Sequence, residues 1–144
     1  MVEINRSALL PYSAARLFSM VNDVAAYPEY MEGCVGTEVF EASAEHMKAR
    51  LDLAKGPLKY SIVTENTLHQ DASIVMTLVE GPLQDFEGLW TFTALGEEAC
   101  KVSLDIRFNL SSRLLGGAAA KLFGSLGATL VDSLSQRAHQ LYGK

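Results

Sequence analysis

One stretch, Arg113–Tyr142, constrains the fold of this chain more than any other. Bulky apolar residues recur at Leu115, Leu122, Leu126, Leu130, Leu134 and Leu141, with Ala119 and Ala138 on the same row. That is helical spacing sustained over roughly 40 Å at 1.5 Å per residue. A second row, Gly116, Ala120, Gly124 and Ala128, is entirely small. Interior glycines cost a helix on the order of 1 kcal/mol each relative to alanine, and a helix carries them where something approaches its backbone closely. The stretch therefore predicts a long helix with a bulky row to bury and a thin row that leaves room. Small residues at this spacing are also a packing signal of membrane helices. Lys121 in mid-span, with Asp132 and Arg137 inside the same pattern, argues instead for a helix laid across a sheet.

Upstream of that helix the period changes to two. Val2–Leu10 alternates, with Val2, Ile4, Ala8 and Leu10 on one face, and predicts a half-buried strand. Pro11 ends it. Ser13 is placed to cap a short helix on which Ala14, Leu17, Phe18 and Val21 fall at i, i+3, i+4 and i+7. Asp23 can cap a second short helix, Val24–Ala26, which Pro28 is expected to stop. Strand-like runs then follow at Val35–Phe40, His46–Leu53, Leu58–Leu68, Ser73–Val79, Phe86–Leu95 and Cys100–Leu110. Turns such as Lys55-Gly56-Pro57 and Gly81-Pro82 separate them, and connections this short require antiparallel neighbours. The expectation is an α+β fold. About seven antiparallel strands curl around a long C-terminal helix, with two short helices after the first strand and residues 1–144 forming one domain.

Charge and cysteine content narrow the function. A net charge of −5 and a pI near 5.1 argue against broad, salt-driven binding to a phosphate backbone, so DNA is not expected as a partner. Cys34 and Cys100 stand far apart, with no CxxC pair, and read as small buried hydrophobes in a reducing compartment. The start Met1-Val2-Glu3-Ile4-Asn5 has neither a basic nor an apolar leader region. A cytoplasmic location follows as the expectation, with at most peripheral membrane contact.

Catalysis needs ionisable groups gathered in a cleft. The inward rows, Met47–Leu53 and Cys100–Leu110, carry nothing stronger than a thiol, and His46, His69 and His139 do not converge. No phosphate loop, HExxH or GxSxG appears. No catalytic residue and no metal ligand is assigned, and a protein without turnover of its own is expected. The interior supplies instead an apolar wall, Tyr60, Trp90, Phe92 and Phe108, facing a helix row of glycine and alanine. Two readings fit it. Small helix residues let helix and sheet pack closely in an ordinary core, or they leave a cavity for a hydrophobic small molecule bordered also by Phe123, Gly124 and Leu126. Tyr27-Pro28-Glu29-Tyr30-Met31 is an aromatic connection that serves as a lid, an interface tip or a plug, which adds Tyr27 and Tyr30 to the candidate ligand-binding residues.

Two blocks carry a family resemblance. The first is Arg6-Ser7-Ala8-Leu9-Leu10-Pro11-Tyr12-Ser13-Ala14, with Asn22-Asp23-Val24, Tyr27-Pro28 and Gly33-Cys34; the second is Leu78-Val79-Glu80-Gly81-Pro82 with Gly88, Trp90 and Phe92. Together they resemble the START-like (polyketide cyclase/dehydrase, SRPBCC) superfamily, in the branch of the coenzyme-Q-binding proteins and the bacterial ribosome-association toxins. The chain departs from that pattern at Glu32, where a proline is usual, and at Leu83, where a phenylalanine is. The resemblance implies a helix-grip fold over the whole chain. It also implies two activities of different class. One is non-enzymatic binding of ubiquinone or a similar isoprenoid lipid in support of respiration, with no cofactor required. The other is a toxin that binds the large ribosomal subunit and blocks subunit joining.

Overall fold

The computed structural model describes residues 2–81, 83–110 and 117–143, apart from the side chains of residues 55, 110, 117–123, 126 and 128. The chain opens with strand β1 (Val2–Leu10) and helix α1 (Ala14–Asn22). A 3₁₀ turn (Val24–Ala26) then leads into the single turn α2 (Tyr27–Tyr30). Six strands follow: β2 (Cys34–Ala42), β3 (His46–Lys55), β4 (Leu58–His69), β5 (Ser73–Glu80), β6 (Leu83–Gly96) and β7 (Ala99–Leu110). Helix α3 (Gly117–Tyr142) closes the chain.

All seven strands form one curved antiparallel sheet in the order β1-β7-β6-β5-β4-β3-β2. Strands β2 to β7 are a meander. Only β1 is displaced, crossing to pair with β7 in the register Val2↔Phe108 to Leu10↔Cys100. That register follows from the alternation on both strands, because a one-residue slip would turn Ile4 and Leu104 to solvent. Each expected strand lies within an observed one. β6 begins earlier than its alternation suggests, because a bulge interrupts its pairing with β7 between Gln84 and Glu87 and Asp85 sits at φ 53°. A bulge shifts the side-chain phase, so Leu83 falls out of step with Phe86 and Gly88. At the β3–β4 turn Gly56 takes φ 59°, where a residue without Cβ is unstrained.

Helix α1 starts as expected, with the Ser13 hydroxyl accepting from the Arg16 N–H at 3.2 Å, and buries Leu17, Phe18, Met20 and Val21. Pro28 behaves differently from the expectation. It does not stop the turn at Val24–Ala26 but sits in the first turn of α2, where the missing N–H would have had no partner in any case.

The inward stripe of α3 also differs from the row read in the sequence. Gly127, Val131, Leu134 and Ala138 are buried, whereas Leu141, assigned to the bulky row, is 51% exposed. Four residues turn a helix through about 400°, so a row of constant spacing four drifts about 40° per step away from the face it started on. The C-terminal end of α3 is pinned by a hydrogen bond between the Tyr12 hydroxyl and His139 Nδ1 at 2.5 Å, and by Arg16 over the Tyr142 ring at 5.0 Å. The part of the expected helix before Gly117 lies outside the described residues.

Candidate functional site

A cavity of about 110 Å³ lies between the inner face of the sheet and the α2 and α3 segments. Strands β1, β3, β4, β5, β6 and β7 supply its wall through Ile4, Ala49, Leu51, Leu53, Ile62, Met76, Leu83, Phe86, Trp90, Ile106 and Phe108. From above come Val24, Tyr27 and Met31, with Cys34 at the start of β2 and Gly127 and Leu130 from α3. Two small residues shape this lining. Gly127 brings the helix backbone so near β1 that a Cβ there would fall 2.4 Å from Ile4 Cδ1. Ala49 is fully covered yet reaches only one carbon from β3.

Three residues interrupt the apolar lining. Glu32 is exposed, at the rim. Thr64 and Asn66 are buried, on the inner face of β4. Asn66 Oδ1 is buried without a hydrogen-bond partner among the described residues. The Tyr27 hydroxyl donates to the Val21 carbonyl, and burial, followed by the neighbouring Tyr30, Cys34 and Asp23, pushes its pKa well above the ordinary tyrosine value. Burial likewise raises the Cys34 thiol, which therefore stays protonated and is a poor nucleophile at neutral pH. Among the described residues no group of three or more His, Cys, Asp or Glu is placed to hold a metal ion.

Of the residues singled out in the sequence, Tyr27, Trp90 and Phe108 come together on the cavity wall. Phe92 is in the core behind it, parallel to Trp90 at 6.4 Å and edge-on to Phe18 at 5.6 Å, where it packs α1 onto the sheet. Tyr60 is half-buried and packs against the core, outside the described lining. Tyr30 is edge-on to Tyr27 at 6.1 Å with Arg137 over its ring at 5.3 Å, also outside the lining. Gly124 is half-exposed, and no described atom lies within 4 Å of where its Cβ would stand. The glycine that borders the cavity is Gly127, one helical turn further on, for the reason of phase given above. The side chains of Phe123 and Leu126 lie outside the described residues. Sequence reading missed Thr64 and Asn66. The signal was present, since both share the parity of Tyr60 and Ile62 along β4.

Comparison with known proteins places this geometry in a family. The model of the family described as polyketide cyclase / dehydrase and lipid transport matches residues 10–135. A protein of Pseudomonas aeruginosa named ribosome association toxin RatA is 46% identical over 140 residues, 97% of either chain. A Vibrio cholerae protein of the same name is 42% identical over 144 residues, the full length of both. Among solved structures, a START superfamily protein from Mycobacterium smegmatis superposes with a TM-score of 0.80 at 20% identity, covering 96% of this chain and 98% of that one, which speaks to the fold alone. The chain belongs to the polyketide cyclase / dehydrase and lipid transport family of START-like proteins, in the branch that holds the ribosome association toxins.

Proposed function

We propose that this chain is a ribosome-association factor of the toxin type, a single START-like domain over residues 1–144 that binds the large ribosomal subunit and blocks subunit joining without turnover of its own. The observation that carries this reading is similarity along the whole chain, at 46% and 42% identity, to two proteins named for ribosome association. The interior supports the absence of catalysis. Among the described residues, the titratable groups lining the cavity are Tyr27 and Cys34, both held protonated by burial, and Glu32 at the exposed rim. No such set moves a proton between two working groups near neutral pH. Action on ribosomes would go with a cytoplasmic location. Among the described residues no helix is long and apolar enough to cross a membrane.

An acidic chain gains little from releasing counterions around RNA, so the ribosomal contact is assigned to a protein face and depends only modestly on salt. Co-sedimentation with separated ribosomal subunits at low magnesium, at two salt concentrations, tests this. The chain is expected in the large-subunit fraction at both. Recovery only at the top of the gradient would overturn the reading.

A second reading is favoured by the cavity itself: the chain holds a small hydrophobic molecule. Burying apolar surface yields roughly 25 cal/mol per Å², which a mostly apolar lining can use. Ubiquinone or a similar isoprenoid lipid, in its quinone or its hydroxyl-bearing reduced form, is the ligand implied by the family resemblance. Solvent extraction of the purified chain followed by mass spectrometry is expected to show such a lipid. An extract without it removes the quinone and leaves the ribosomal reading untouched.

A further inference from the structure

The sheet faces the cavity mostly with carbon, and Asn66 departs from that furthest. Asn66 is only 7% exposed, lines the cavity, and its Oδ1 is buried with no partner among the described residues. Its neighbours across the sheet are Met47 on β3 and Met76 on β5, and a thioether has no hydrogen to donate. An acceptor stripped of water and left unpaired is costly, and native proteins keep few of them. Thr64, also buried, stands two residues along the same face and lines the same space.

We infer that the cavity takes a neutral, single-ring molecule bearing a hydroxyl group, which hydrogen-bonds to the carboxamide of Asn66. This deepens the ligand-binding reading above and rests on it. Size sets the first limit. An engineered cavity of about 150 Å³ lined by Leu, Ile and Phe holds benzene, and the space here is about 110 Å³. Charge sets the second. No cationic side chain is among the described lining, and Glu32 at the rim repels anions, so an ionised carboxylate entering would be left unpaired. Hydrogen bonding sets the third. A carboxamide can turn over to present either its oxygen or its NH₂, and a hydroxyl matches both faces because it donates and accepts. An ether or a carbonyl matches only one. The Tyr27 hydroxyl gives its one hydrogen to the Val21 carbonyl, so it offers a ligand no donor.

Phenol and toluene are the probes, titrated into the full chain and into Asn66→Leu by calorimetry at pH 7, where phenol is neutral. The parent is expected to bind both. In Asn66→Leu the phenol affinity should fall at least about tenfold, a buried hydrogen bond's worth, while toluene binds as before or tighter. Phenol and toluene changing together, or phenol unaffected, would overturn the assignment while leaving an apolar ligand site standing. Neither probe binding the parent would remove the ligand-binding reading along with it. Should Asn66→Leu not fold, the Asn66 side-chain amide of the parent is followed by NMR. Its resonances should shift with phenol and stay with toluene, and the reverse or equal shifts would contradict the inference.

Discussion

Two regions of the core sit under the same helix and against the same sheet, and only one of them is filled. Beneath the last turns of α3, Leu134 and Ala138 join Leu17 of α1 and Cys100, Val102 and Leu104 of β7, all with 0% exposure. Around Gly127 and Leu130 the wall of Ile62, Leu53, Trp90 and Phe108 encloses open space instead. The sheet contributes side chains of similar size in both places. The difference lies in the helix, which brings Leu134 to one region and Gly127 to the other, and in β4, which turns Asn66 into the second region where another aliphatic residue would fit. Protein interiors are normally packed as tightly as organic crystals. A void kept beside a carboxamide whose oxygen has no partner among the described residues is what the ligand-binding proposal rests on.

The largest expected effect is on stability in the filled region. Leu104→Ala should cost about 2–5 kcal/mol, since removing a buried leucine loses both transfer energy and neighbouring contacts. Leu53→Ala, at the cavity wall, should cost clearly less because part of that side chain already faces empty space. Denaturant titration compares them, and equal losses would erase the distinction between the regions. Next comes Gly127→Leu. Even a Cβ at this position meets Ile4 Cδ1 at 2.4 Å, so the variant should drive Ile4 into the cavity, lose about 1–3 kcal/mol to overpacking and no longer bind toluene. A variant that binds toluene like the parent would place the ligand elsewhere.

A smaller effect is expected from pH. Burial raises Tyr27 and Tyr30 above the ordinary tyrosine value in the folded chain. The unfolded chain thus releases these protons first, so stability is fully present below about pH 10 and falls as the pH rises further. Thermal melts between pH 8 and 11 should show this decline, and Tyr27→Phe, which has no hydroxyl to ionise, should decline less steeply. Parallel curves would contradict the assignment to Tyr27. The smallest effect belongs to Gly124→Ala, where no described atom lies within 4 Å of the added carbon. Relief of a mid-helix glycine should raise stability by up to about 1 kcal/mol without altering toluene binding.

Most of the architecture was legible because alternation records burial on one side. Cys100, Val102, Leu104 and Phe108 read as an inward row and are one. Helix α3 was legible as a helix, but its inward face was not resolved to the residue, since rows of spacing three and four both lie near it and drift apart along its length. That put Gly124 where Gly127 belongs. At β4 the parity pointed inward through Thr64 and Asn66, but polar residues on an inward row are easily passed over, because nothing local says whether a partner awaits them. Phe92 shares the parity of Trp90 and so reads as cavity wall; which inward residues touch a void and which touch α1 depends on tertiary packing, here on Phe18. The ribosomal role was not legible in any residue's chemistry. As a proposal it rests on the resemblance and on the similarity to the named toxins.

Neither region of the core explains a contact with the ribosome, so that role is best read directly. Purified small and large subunits brought together by raising magnesium scatter more light as they join. Added in excess to the large subunit beforehand, the chain is predicted to hold the scattering near its unjoined level, with a share of it sedimenting alongside the large subunit. Joining at the same rate and to the same extent as without the chain would contradict the account.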